Sequence, residues 1–143
     1  MSASTGPREA GRKPGDIVVY PVGPNTNINK GALVVTRGDG FAYPARLGAG
    51  ASADLFLGIA YETVNNNPGS SGALTVRCYK RGAYQFALPS AVQANIGAKM
   101  YAADDQTLTT ANVNGSNPNT LVGTAAALID NGDVELWIEN AVS

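Results

Sequence analysis

Histidine is absent from the chain, cysteine occurs once, and charged side chains make up only 15% of the residues. Without histidine the commonest general base and the commonest metal ligand are missing. With Cys78 alone, zinc sites built on His or several Cys, Ser–His and Cys–His nucleophile pairs and an intrachain disulfide are excluded. The lone thiol is expected to be buried and inert. No stretch approaches the roughly 20 apolar residues of a membrane span, and the N-terminus lacks the apolar centre of a secretory signal. The expectation is a protein made in a cytoplasm that stays soluble, with no membrane partner. A net charge of −1 with no concentrated basic face argues against nucleic acid.

The paired carboxylates fall at turns. Asp104-Asp105 reads as a solvated turn, and Asp130 and Asp133 flank Asn131-Gly132, where turn chemistry accounts for them. The glycine-rich segments Gly38-Asp39-Gly40 and Gly48-Ala49-Gly50 carry neither the lysine nor the hydroxyl of a phosphate cradle. No catalytic residue, cofactor or metal site is expected, and the chain is read as a non-enzyme. Asn114-Gly115-Ser116 fits a glycosylation acceptor, which matters only in a secreted eukaryotic protein.

What is present is a series of short β-branched and aromatic runs punctuated by Gly, Pro, Asn and Asp. Strands are expected over Asp16–Tyr20, over Ala32–Val35 and Phe41–Tyr43 as a hairpin about Gly38-Asp39-Gly40, and over Leu55–Val64. In the last of these, Leu55, Leu57, Ile59 and Tyr61 alternate with Phe56, Gly58, Ala60 and Glu62, and Gly58 marks a bulge or a close backbone approach. Ala73–Tyr79 and Ala83–Leu88 read as a hairpin turned at Lys80-Arg81-Gly82. Pro89–Gly97 is the one plausible helix, capped by Ser90 and stopped by Gly97. Lys99–Ala103 and Gln106–Thr109 follow, and Leu121–Ile129 pairs with Val134–Ile138 about Asn131-Gly132. These short strands predict an all-β fold, a small antiparallel β-barrel or sandwich with one short helix.

Residues 1–15 contain Gly6, Pro7, Gly11, Pro14 and Gly15 and have no apolar period. They are expected to form an extended N-terminal arm, either frayed or ordered on a partner, ahead of a single β-domain over 16–143. The arm's Arg8, Arg12 and Lys13, together with Lys80 and Arg81, are the candidate partner-binding residues. Tyr20, Tyr43, Tyr61, Tyr79, Tyr84 and Trp137 are of the types that anchor interfaces, and equally of the types that fill cores.

The order Ile17-Val18-Val19-Tyr20-Pro21, Ile28 to Val34, Phe56 to Val64, Val76 to Gly82 and Leu121-Val122-Gly123-Thr124 resembles the capsid cement, or head decoration, proteins of tailed bacteriophages. That family's last strand is usually valine-rich, whereas Leu136-Trp137-Ile138 stands here. The resemblance implies a β-rich homotrimer on the exterior of the virion capsid, with the major capsid protein as its partner. It supplies no catalytic residues and no contact motif to transfer. A carbohydrate- or host-surface-binding β module of a fibre or adhesin is the alternative from another class. It calls for an aromatic cluster on an exposed loop, and these loops are rich in Asn, Gly and Ser instead.

Overall fold

The computed structural model describes residues 16–48, 54–130 and 132–139; the arm over 1–15, with Arg8, Arg12 and Lys13, lies outside the described residues. The described strands are β1 (Ile17–Pro21), β2 (Thr26–Ile28), β3 (Leu33–Thr36), β4 (Ala42–Pro44), β5 (Leu55–Ala60), β6 (Val64–Asn66), β7 (Thr75–Tyr79), β8 (Arg81–Ala87), β9 (Lys99–Ala102), β10 (Leu108–Thr109), β11 (Val113–Asn114), β12 (Asn117–Pro118), β13 (Leu121–Asp130) and β14 (Asp133–Glu139). They form two five-stranded antiparallel sheets, ordered β1-β7-β5-β3-β4 and β10-β9-β13-β14-β8, with two small ribbons, β2–β6 and β11–β12. Single bridges, Val22 to Ala42 and Ala87 to Thr107, tie the outer strands of each sheet at one point. The sheets therefore curl without closing, and the fold is a sandwich rather than a barrel.

Sheet one is the middle layer. Leu33, Val35, Phe56 and Ile59 pack on sheet two through Phe86, Met100, Val134, Leu136 and Ile138. On its opposite face, Val34, Ala60, Val76 and Cys78 pack beneath Val22, Ile28 and Val64. A strand covered on both faces needs no alternation, and Leu33, Val34 and Val35 are each fully buried.

The alternation expected along β5 is broken by a bulge. Val34 pairs with Gly58 but Val35 pairs with Phe56, so Leu57 is an extra residue. Phe56 and Ile59 consequently share the core face while Leu55 is 48% exposed. Gly58 holds φ +143°, and the carbonyl of Tyr79 occupies the space a Cβ would need. Both readings of this glycine, bulge and close approach, hold. Beyond Ala60 the chain bends, and Val64–Asn66 pairs with β2 instead of extending β5.

The hairpin expected at Lys80-Arg81-Gly82 does not form. β7 lies between β1 and β5 in sheet one, and β8 lies beside β14 in sheet two. Lys80 alone joins them, and its N–H donates to the carbonyl of Asp16 at 2.8 Å, prolonging the β1 ladder. The strand passes from sheet to sheet, and Gly82 at φ +125° bends it without reversing it. The helix expected over Pro89–Gly97 contracts to one 3-10 turn, Gln93–Asn95. Ser90 sits at φ +63° and does not cap it; Asn95 Oδ1 accepts the Val92 N–H at 2.8 Å instead. One turn gains too few hydrogen bonds to nucleate more.

The turns after β3 and β9 follow the reading. Asp39 Oδ1 accepts the Phe41 N–H at 3.0 Å in the β3–β4 hairpin, and Asp104 Oδ1 accepts the Gln106 N–H at 2.7 Å between β9 and β10. β13 and β14 pair from Thr124–Trp137 to Asp130–Asp133.

Candidate interaction surfaces

The two candidate cations at the sheet crossing have different roles. Lys80 Nζ donates to Tyr20 Oη and to the Leu57 carbonyl, both at 2.6 Å. It also lies 5.0 Å from the Tyr20 ring centre. It thereby staples β1 to the β5 bulge. Arg81 faces outward and lies 3.4 Å from Glu139 and 3.8 Å from Asp16. Arg8, Arg12 and Lys13 are outside the described residues, so of the five candidates the structure places Lys80 and Arg81.

Three of the six flagged aromatics form a ladder. Tyr61 and Tyr79 have ring centres 5.2 Å apart, and Tyr79 and Tyr84 5.7 Å. Arg77 caps the row, 4.5 Å above Tyr61, and grips Glu62 through two hydrogen bonds of 3.0 Å. Ile17 opposes Tyr79 and Val19 opposes Arg77 across the β1–β7 pair, so exposed Ile17, Val19 and Arg77 share a face with half-buried Tyr79. The result is an aromatic ledge at the β1 edge of sheet one. Tyr43 is committed locally, donating to Asp39 Oδ2 at 2.6 Å. That bond holds the Asp39 carboxyl below its usual range and raises the Tyr43 hydroxyl.

The outer face of sheet two has two chemistries. Along β14, Val134, Leu136 and Ile138 point into the core. Asp133, Glu135, Trp137 and Glu139 point out, with Trp137 44% exposed. Beside this acidic strip is a neutral zone: between Asp105 and Asp130 the chain has no charged residue. The zone includes Leu121, which pairs with Tyr101, and the β11–β12 hairpin, exposed from Ala111 to Pro118. Asn119 roots this hairpin by accepting the Gly48 N–H at 2.9 Å and donating to the Ala111 carbonyl at 3.0 Å. An open cleft of about 490 Å³ adjoins it, lined by Leu47, Leu88, Pro89, Thr109 and other uncharged residues. Interface cores are depleted in charge. The uninterrupted charge-free run was the sequence signal for this zone, and overall composition alone does not reveal it.

Among the described residues neither of the two clefts is lined by a pair of carboxylates. A second cleft of about 580 Å³ carries one acid, Asp133, with Lys30 and Gln85. Asp105 has its carboxyl pushed up by burial and then by Asp104. Asp54, its side chain fully buried, takes Arg46 at 2.8 and 3.0 Å. Among the described residues no three His, Cys, Asp or Glu side chains gather as metal ligands. Cys78 is buried, and desolvation pushes its thiol up to about 12.

Compared with known families, residues 12–139 match the family model described as phage cement protein. No curated protein matches the chain. Among solved structures, the head fiber gp8.5 N base of bacteriophage phi29 aligns over 86% of this chain and 94% of its own, at 18% identity and a TM-score of 0.44. That likeness is too loose to carry an argument.

Proposed function

The chain belongs to the phage cement protein family, which gives it a structural, capsid-associated role in the virion, and from that premise we propose the following. The protein binds the outer surface of the mature head, contacts the major capsid protein and stabilises its lattice without turnover. The observation that carries this reading is the neutral zone on sheet two: Leu121 at 48% and Val113 at 50% exposure, beside an uncharged cleft. Removing that surface from water requires no desolvation of ions.

A ligand that binds one lattice state and not another stabilises the state it binds. Cement of this kind favours the expanded shell over its precursor. A homotrimer multiplies modest affinity per copy by effective concentration when several copies engage at once, and its contacts are heterologous ones that close by rotation. Arg8, Arg12 and Lys13 of the arm, with Arg81 at the sheet crossing, are assigned to the rim of the contact, and Lys80, its Nζ held by Tyr20 and Leu57, supports Arg81 from within.

The test is co-sedimentation of the protein with heads lacking it. Leu121→Asp and Val113→Asp are expected to abolish attachment while circular dichroism stays β-rich. Undiminished attachment by both folded variants would overturn the reading. Heat release of packaged DNA from decorated and bare heads measures the stabilisation directly.

A further inference from the structure

The start of β1 and the end of β14 meet on one side of a continuous strand. Toward β1, the bonds are Val22 N–H to Leu74 O and Lys80 N–H to Asp16 O; toward β14, Leu88 N–H to Gly132 O. The bonding residues of β7, Lys80 and Leu88 are all even-numbered, so β1 and β14 lie along the same edge, end to end. Arg81 marks the junction, reaching both Asp16 and Glu139. Beyond Asp16 the line of β1 along this edge is taken up by β14. The inner face of β14 is filled by Leu136 and Ile138, both fully buried. Its outer face is free.

That outer face is acidic and aromatic. Among the described residues Glu135 has no ion-pair partner, Asp133 accepts only the neutral Gln85 amide at 2.9 Å, and Glu139 shares Arg81 with Asp16. Lys30 shares a cleft with Asp133, and Lys99 is held off by β13 in the row Lys99–Thr124–Trp137. Residues 1–15 carry Arg8, Arg12 and Lys13 against Glu9 alone. Extended, they span up to about 50 Å. At about 3.3 Å per extended residue, the three and four residues from Asp16 back to Lys13 and Arg12 can reach roughly 10 and 13 Å, and Glu135 lies roughly 13 Å along β14 from Glu139. A tether this short holds the segment at an effective concentration in the millimolar range, which favours the same chain over a second copy.

We propose that in the free protein residues 1–15 dock on the outer face of β14 of their own chain, setting Arg8, Arg12 and Lys13 against Asp133, Glu135 and Glu139 and covering Trp137. The acidic strip is thus the resting site of the arm, and the neutral zone beside it stays open. This inference concerns the protein before attachment and does not depend on what the head contributes.

Trp137 is the single tryptophan and reports the docking by itself. In the full chain, Arg8→Glu combined with Arg12→Glu and Lys13→Glu is expected to shift tryptophan emission to the red and to increase acrylamide quenching. Glu135→Lys should do the same from the opposite partner. So should about 1 M salt on the unaltered protein, where the Debye length falls to about 3 Å. The unaltered signal should be independent of protein concentration. Emission and quenching unchanged in both variants would sink the proposal. A signal in the unaltered protein that fades on dilution would assign the strip to a second copy's arm and overturn it equally.

Discussion

At the scale of single residues, burial decides which groups react and which hold structure. Cys78 is fully buried, with its thiol raised from 9.0 to about 12 chiefly by desolvation, so it should resist thiol reagents at pH 8 until the protein unfolds. Rapid labelling of native protein would contradict this. The shift also fixes a pH dependence. Below about pH 9 folded and unfolded states both hold the thiol. Above it only the unfolded thiol ionises, until the folded one follows near 12. Stability should therefore fall by up to about 1.4 kcal/mol per pH unit across that window. Urea unfolding at several alkaline pH values should show a shallower slope for Cys78→Ala; Tyr43 and Tyr84, raised likewise, leave a remainder. Arg46 and Asp54 form the other residue-scale constraint. Arg46→Met strands a carboxylate with no exposed side-chain surface, and should cost about 3 kcal/mol in urea unfolding. The same change at exposed Arg81 should cost under about 1 kcal/mol.

The burial of Cys78 was legible in the sequence, because a lone cysteine alternating with Leu74 and Val76 sits on an apolar strand face. The Arg46–Asp54 pair was not. It spans a segment of alanine and glycine in which no periodicity marks what closes on what. Gly58 was half legible: a glycine inside an apolar run signals a departure from regular pleating, but not its consequence, that Phe56 rather than Leu57 joins Ile59 in the core. Gly58→Ala places a methyl against the Tyr79 carbonyl at φ +143°, and thermal unfolding should show a loss of at least about 2 kcal/mol.

At the scale of elements, the positions of the strands in the two large sheets were readable from period and punctuation, whereas the short polar ribbons β2–β6 and β11–β12 and the strand partners were not. Tyr79 and Ala83 flank a three-residue turn signal of the right length for a hairpin, yet β7 and β8 enter different sheets. Local turn chemistry scores only the chain's reversal, and cannot weigh it against the pairs β1–β7 and β8–β14, whose partners lie some 46 to 62 residues away in sequence. Lys80 is what the crossing is built on. Removing its two hydrogen bonds of 2.6 Å by Lys80→Met leaves the Leu57 carbonyl and Tyr20 hydroxyl without that donor. Hydrogen bonds to charged groups contribute about 1.5–3 kcal/mol each, so a loss of about 2 kcal/mol or more is expected. Amide exchange should accelerate first in β1 and at the β5 bulge. An unchanged unfolding midpoint would show that the crossing is held by the sheets alone.

At the scale of the whole molecule, the surface divides by charge. The acidic strip of β14 and the neutral run between Asp105 and Asp130 lie side by side on sheet two, with the tyrosine ledge on sheet one. The low charge legible from composition is therefore not uniform. It is concentrated where β10 to β13 and their hairpin are exposed, a concentration that depends on pairing and so escaped a reading of segments one at a time. If the neutral zone forms the centre of the head contact and the cations its rim, the two make separable contributions to kinetics. Rim charges steer encounter and set the salt dependence of association, while desolvated contacts set dissociation. Surface-immobilised heads should show association slowing as salt rises from about 0.05 to 0.5 M, where the Debye length shrinks several-fold, with dissociation nearly constant. In Leu121→Lys dissociation should speed up at every salt concentration. Dissociation that accelerates steeply with salt in the unaltered protein would place Arg8, Arg12 and Lys13 at the centre of the contact and remove the neutral zone from it.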